Sequence, residues 1–234
     1  MRDTTKMETT KTQRYKEEEM EKRPASSVSS CLGGSKPLPP GWRWVRLGEV
    51  CEVYNGTTPT SEAEYWNGGI VWITPTDLGK LKDIYISRSA RTVTAIAVAS
   101  FNLSLVPIGT VILSSRAPIG HLAIAGVQLC TNQGCKSFVP SDQIDSVFLY
   151  FALKRSVTDL QRLGSGATFA EVSKSQCANF RIPLPPLAEQ RRIAGILREQ
   201  MAAVERARAA AEAELEAIEA LPAALLRRAF SGEL

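Results

Sequence analysis

The chain has 234 residues, 44% hydrophobic and 22% charged, the balance of an ordinary globular protein with room for one sizeable core. A net charge of +4 permits an acidic partner without demanding one. No run of eighteen apolar residues and no apolar leader is present, so neither a membrane span nor a secretion signal is expected. Five cysteines without a CxxC pair, and a single histidine, argue against a disulfide framework, a zinc site or a Ser-His-Asp arrangement. The expectation is of buried thiols in a reducing cytoplasm, with no metal and no cofactor.

Residues 1–36 read as a disordered leader, first charged and then rich in Ser and Gly. Order is expected from Leu38-Pro39-Pro40-Gly41-Trp42, where Val45, Leu47, Val50 and Val53 supply a buried face and Trp42, Trp44 and Trp72 belong to the core. Loops at Asn55–Pro59 and Tyr65–Gly69 precede a short strand over Ile70–Ile73 and the polar stretch Thr74–Leu78. Ala90–Ala99 reads equally as strand or short helix. From Gly109 the pattern is β: a strand over Thr110–Ser115, a turn at Arg116–Gly120, a return strand over His121–Ala125, and another at Cys135–Val139. Helical spacing then runs through Val147–Leu163, with Phe148, Phe151, Ala152 and Leu160 on one face and glycines 164 and 166 as a stop. Thr168–Lys174 suits a single capped turn.

The last stretch, Leu187–Leu221, is dominated by Ala, Glu, Leu and Arg and reads as one long helix, with Pro185 and Pro186 just ahead of it. Leu197, Val204, Ala211, Ile218 and Leu225 recur every seven residues. A second column of Ala194, Met201 and Leu215 is broken by Arg208 and Pro222. The spacing predicts a coiled-coil seam, with Pro222 marking a bend before a short terminal helix over Ala223–Phe230. From Pro186 onward there are seven Arg against eight Glu, so the positive surplus lies in the head and the leader. The fold class expected is therefore α+β: a mainly β head over 37–186 carrying a coiled-coil arm over 187–234.

No Walker loop, GxGxxG, HExxH or GxSxG occurs, and no acidic cluster recurs at metal or acid-base spacing. The head's loops are instead rich in Thr, Ser, Asn, Gln and scattered Arg and Lys, groups that suit phosphates and base edges and also ordinary loop surfaces.

Five stretches in order carry a resemblance: LPPGWRWVRLGEVCEVYNGTTP, YWNGGIVWITPTDL, GTVILSSRAPIGHLAIAG with TNQGCKSFVP, GSGATFAEVSKSQCANFRIPLPPLAEQRRIAGIL, and the closing LLRRAFSGEL. Together, over about residues 38–234, they resemble a specificity subunit of a type I restriction-modification system. The resemblance implies a mainly β target-recognition domain reading one half of a bipartite double-stranded DNA site. It also implies helices that pair antiparallel and dock DNA-adenine methyltransferase subunits, a separate restriction (translocase/endonuclease) subunit, and no catalytic residue in this chain. A full family member has two recognition domains and two helical regions; here there is one of each. The reading is therefore a half-subunit, working as a homodimer, with another half, or persisting as an inactive truncated fragment. A coiled-coil adaptor that does not bind DNA is the alternative from another class.

Candidate DNA contacts carry alternative readings. Ser115 and Arg116 sit at a strand end, where Arg116 either forks onto a phosphate or guanine edge or caps the turn. Asn132 and Gln133 are amides of the kind that read adenine and of the kind that brace loops. Thr74 and Thr76 face the same choice, and Lys136 and Lys174 are candidate phosphate contacts. The expected interface of the arm is Leu197, Met201, Val204, Ala211, Leu215, Ile218 and Leu225.

Overall fold

Strand β1 (Arg43–Arg46) runs through a single helical turn, α1 (Leu47–Val50), into β2 (Cys51–Asn55). Val45, Leu47, Val50 and Val53 are all buried, as their spacing predicts. The tryptophans beside them are not: Trp42 is half-buried and Trp44 is 40% exposed. Trp44 alternates with buried Val45 on a strand, so the period of two turns its side chain outward. β1 pairs antiparallel with the head's last strand, β10 (Arg181–Leu184), placing Val45 opposite Ile182. Entry to and exit from the head are thereby tied together.

A computed structural model describes residues 37–116, 118–164 and 170–232. The expected leader, the expected stop at glycine 166, residues 168–169 of the expected turn over 168–174 and the last two residues lie outside them. From Leu38 onward the chain forms one compact unit. Its main sheet has the order β2-β9-β6-β7-β4, with β4 (Tyr85–Ile86), β6 (Val111–Ser114), β7 (Leu122–Ala125) and β9 (Cys135–Pro140). Every residue of β6 and β7 is buried. That is the pattern of strands covered on both faces, and it explains why they read as continuous apolar runs. Ile112, Ala123, Ala125 and Cys135 share a core with Ile73, Leu78, Ile86, Val106 and Leu129. A smaller sheet, β5-β3-β8, comprises β3 (Trp66–Ile73), β5 (Arg91–Val93) and β8 (Leu129–Thr131). Trp66, Trp72, Val93, Ala97, Leu103 and Cys130 form its own apolar cluster.

Helices occupy places where the sequence offered turns or alternatives. Thr74–Leu78 holds α2 (Pro75–Gly79), started by Pro at its first turn and by Thr74 as N-cap. The ambiguous stretch after Ala90 contains both answers: β5, then α3 (Ala95–Ser100) capped by Thr94. The single helix expected over 147–163 is two, α4 (Ser146–Arg155) and α5 (Val157–Leu163). Between them Ser156 donates its hydroxyl to the Ala152 carbonyl at 2.8 Å, a local bond that competes with the helical ladder. After the undescribed segment, Ser173 caps α6 (Lys174–Asn179), so Lys174 begins a helix rather than ending a turn.

The arm is α7 (Leu187–Ser231), 45 residues long, about 68 Å at the usual rise per residue. It ends where Gly232 takes the left-handed conformation with φ 78°. Pro222 does not divide it into two helices; it lies inside one. Pro222 is exposed, so its cost lies within its own helix: one missing hydrogen bond and the crowding of the ring against the Ile218 carbonyl. Pro222→Ala should therefore stabilise the arm locally, by up to about 3 kcal/mol. Amide exchange should slow over residues 216–226, whereas unchanged exchange would show that the arm is held there by something other than its own backbone.

Candidate nucleic-acid interface

Loops from separate parts of the chain meet at one end of the main sheet. β2 and β9 pair so that Asn55 lies opposite Lys136, and β6 and β9 so that Ser114 lies opposite Cys135. The loop after β2 is held against the loop after β8: Thr57 N donates to Thr131 O at 2.9 Å, and Thr58 Oγ1 donates to Gln133 Oε1. Gly56 makes that approach possible, since a Cβ there would lie 1.8 Å from the Asn132 carbonyl oxygen. Two indoles fix the same loop, Trp72 Nε1 donating to Thr57 O at 3.1 Å and Trp66 Nε1 to Thr60 O at 2.8 Å. Their rings meet edge to face at 5.0 Å. The start of α2 joins from the other side, where Pro75 packs on Gly134.

The sequence-predicted residues take different places in this cluster. Thr74 is committed to its helix: its hydroxyl donates to Asp77 Oδ2 at 2.6 Å and accepts from Asp77 N at 3.3 Å. The same carboxylate accepts from Thr74 N at 2.9 Å, and its other oxygen from Ala90 N at 3.0 Å. Thr76, one residue into the helix, is exposed. Asn132 braces its own turn, its Oδ1 accepting from Gly134 N at 3.0 Å, while Gln133 is exposed at the tip. Ser115 is fully buried, its backbone bonded to Gly134 O and Val172 N and its hydroxyl without a protein partner. Ser114 builds the turn that follows, its Oγ donating to Pro118 O and accepting from the N–H groups of Gly120 and His121.

Charge at this end is organised by Glu171, a residue that no motif or spacing singles out. Its backbone forms an isolated bridge with Arg116. Its carboxylate lies 3.0 Å from Lys136 Nζ and 3.6 Å from the Arg116 guanidinium. The two pairs differ in kind. The Lys136 side chain is 4% exposed, an ammonium removed from water that this carboxylate must compensate. Arg116 and Glu171 are each 36% exposed, and such a pair is worth at most about 1 kcal/mol, weak enough to exchange for another anion. Lys174 is exposed, with its ammonium 5.9 Å from the Tyr54 ring centroid, the outer limit of a cation–π contact. The outward-facing members of the cluster are thus Asn55, Thr58, Thr76, Gln133, Lys174 and half-exposed Arg116. Thr58 and Glu171 become visible only once the chain is folded, because each meets its partner across a long separation in sequence.

Among the described residues no group of three His, Cys, Asp or Glu is placed to hold a metal ion. Cys51, Cys130, Cys135 and Cys177 are buried free thiols. Burial pushes Cys51, Cys135 and Cys177 up to about 12, so they stay neutral at any physiological pH. No described helix is long and apolar enough to cross a membrane. The predicted seam of the arm is open: Val204, Leu215, Ile218 and Leu225 are each more than half exposed, Ala211 is exposed, and Leu197 and Met201 are half-buried.

A family profile described as type I restriction modification DNA specificity domain matches residues 39–216. The chain is 40% identical over 163 residues to the type I restriction enzyme MjaIX specificity subunit of Methanocaldococcus jannaschii, covering 68% of this chain and 38% of that one. It is 30% identical over 162 residues to the EcoR124I/EcoR124II specificity subunit of Escherichia coli, covering 66% and 39%. Its fold is similar to the crystal structure of the HsdS subunit from Thermoanaerobacter tengcongensis, with TM-score 0.60, 33% identity, and coverage of 86% and 47%. A chain from a structural study of complex assembly and conformational transition of the type I R-M system gives TM-score 0.68 at 32% identity, covering 98% and 55%. The chain thus spans about two fifths of the length of the curated relatives it matches.

The unequal pairs of Glu171 make a stability prediction. Glu171→Gln leaves the buried Lys136 ammonium without its anion and should cost roughly 1–3 kcal/mol, the lower part of the usual range because Glu171 itself is partly solvated. Adding Lys136→Met removes the stranded charge and should recover most of that loss, whereas Arg116→Ala alone should cost less than about 1 kcal/mol. Urea denaturation of the four proteins checks the order; equal costs for Glu171→Gln and Arg116→Ala would contradict it.

Proposed function

The chain belongs to the type I restriction-modification DNA specificity family, and from that premise we propose that its head reads one half of a bipartite double-stranded DNA site for a DNA-adenine methyltransferase. The observation that carries this reading is the convergence of five loop segments at one end of the main sheet, whose exposed members are neutral hydrogen-bonding groups and cations apart from the paired carboxylate of Glu171. Amides and hydroxyls at the tips suit base edges, and Lys174 with Arg116 suits phosphate. The revised candidate list follows from burial. Thr76, Gln133, Arg116 and Lys174 remain contacts, with Thr58 added, while Thr74, Ser115, Asn132 and Lys136 shape and support the surface from beneath.

In this reading the chain performs no chemistry itself. The methyltransferase subunits flip and methylate the adenine, and a restriction subunit supplies translocation and cleavage. The head 37–186 is the reader and the arm 187–234 is the spacer. The open apolar column of α7 pairs antiparallel with a second copy, which sets two identical readers on opposite strands.

Two measurements test the proposal. Val204→Asp with Ile218→Asp places unpaired charges in the seam, at a cost of several kcal/mol. Light scattering should then report half the mass of the wild type; a wild type already monomeric would remove the paired arm. Methylated DNA should also be sequenced from cells expressing the chain as the sole specificity subunit with its methyltransferase. The expected motif is an interrupted palindrome with one spacer length, moved to a longer spacer by four residues inserted near Ala211. An asymmetric motif would mean that another half-subunit supplies the second reader, and no motif at all would return the head to an adaptor role.

A further inference from the structure

Only two residues of the 45-residue arm are buried, Gln190 and Ala194. A buried amide is an expensive way to anchor a helix, because burying a polar group costs free energy unless its hydrogen bonds are replaced, and an aliphatic side chain would avoid that cost. Gln190 is 1% exposed and replaces them. Its Oε1 accepts from Asp145 N at 2.9 Å, and its Nε2 donates to Gln143 O at 3.0 Å and to Pro185 O at 2.9 Å. Both amide hydrogens and one lone pair are thus spent on three points. One is the chain just before the arm, and two are the loop between β9 and α4. Apolar contacts permit sliding and rotation, whereas three hydrogen bonds to backbone groups are directional and fix the helix axis against the head. Beyond Ala194 no residue of the arm is fully buried: Leu197 and Met201 are half-buried, and a Cβ placed on Gly195 would meet nothing within 4 Å.

The position of this joint gives it a lever. β9 begins beside Asn132, Gln133 and Gly134 and ends at Pro140, and the loop that holds Gln190 follows directly. The joint and the candidate reading loops therefore lie at opposite ends of the same strand. Six residues of strand span about 20 Å, so a turn of about 10° at the joint moves the reading loops by one base-pair rise of 3.4 Å. Holding spacer length to one base pair requires the joint to hold its angle to within that figure.

We infer that Gln190 is a positioning residue that locks the angle between reading head and arm, and through it the spacing between the two halves of the DNA site. The spacing part rests on the DNA-reading proposal above; the angular part does not, and the test separates them. Spin labels are placed on Ala99→Cys in α3 and Glu205→Cys in the arm, both exposed, in a Cys31→Ser background, and labelled chain is diluted with unlabelled chain. Wild type should give a single narrow head-to-arm distance by pulsed electron resonance, and Gln190→Leu a distribution at least twice as wide. Leu160→Ala, which hollows the core beneath α5, is the control: it should lower Tm comparably yet leave the distance narrow. Gln190→Asn, which keeps the amide but shortens its reach, should fall between. In cells, Gln190→Leu should spread methylation over neighbouring spacer lengths while each half-site sequence stays the same. A narrow distance in Gln190→Leu, or equal broadening in Leu160→Ala, overturns the lock. Broadened distances with an unchanged single spacer overturn its role in spacing. Absence of methylation with wild type overturns the DNA reading and leaves the distance measurement to decide the angle.

Discussion

Strand β9 is the constraint on which the rest of the molecule depends. It is hydrogen-bonded on both edges, to β2 on one side and β6 on the other, and its first four residues are buried, with Phe138 fully enclosed. A strand with both edges paired and both faces covered has no inexpensive way to move, since any shift breaks two ladders and opens the core together. Its start presents the turn Asn132–Gly134, against which the loops after β2 and at α2 are packed. Its end delivers the chain to the loop that receives Gln190. One rigid rod thus connects the candidate reading surface to the arm.

Electrostatics at the reading end follow from the same burial. Lys136 is buried because both faces of β9 are covered over its first four residues, and an ammonium in that place requires a counter-charge. Glu171 supplies it and, being half-exposed, also reaches Arg116. This end of the sheet is left with one firmly held pair and one loose pair, and of its cations Lys174 is exposed and Arg116 half-exposed.

The arm presents the opposite balance. Nearly all of it is exposed, including Val204, Leu215, Ile218, Leu221, Leu225, Leu226 and Phe230. Within proteins a helix draws most of its stability from packing an apolar face rather than from propensity, and the open apolar column is the face that the proposed pairing of arms would cover. Exposed ion pairs such as Arg192 with Glu189 and Arg208 with Glu212 add only tenths of a kcal/mol each. Arg208, which interrupts one apolar column, is exposed and held in such a pair by Glu212.

What the sequence determined by itself is what short-range chemistry controls. The buried face Val45-Leu47-Val50-Val53, the strands over 111–114 and 122–125, and the arm with its heptads were all legible, because periodicity of two or of three and a half is a local property. Five ordered motifs made the family legible as well. Tertiary structure decided whatever depends on partners far apart in the chain. It turned Trp44 outward, divided the helix at Ser156, and kept α7 one helix across Pro222, where local rules predicted a separate terminal helix. It also separated the candidate contacts into surface and support. Lys136 and Lys174 are the same residue type with the same sequence-level expectation, yet one is sealed against Glu171, thirty-five residues away, and the other stands in solvent. Gln190 was invisible for the same reason: in sequence it is one polar residue at the start of an amphipathic helix, and only the return of residues 143–145, more than forty positions earlier, gives its amide something to hold. A sequence displays periodicity, but long-range hydrogen bonds and ion pairs exist only once the chain has folded, and those are what fix which side chains lie on the candidate reading surface.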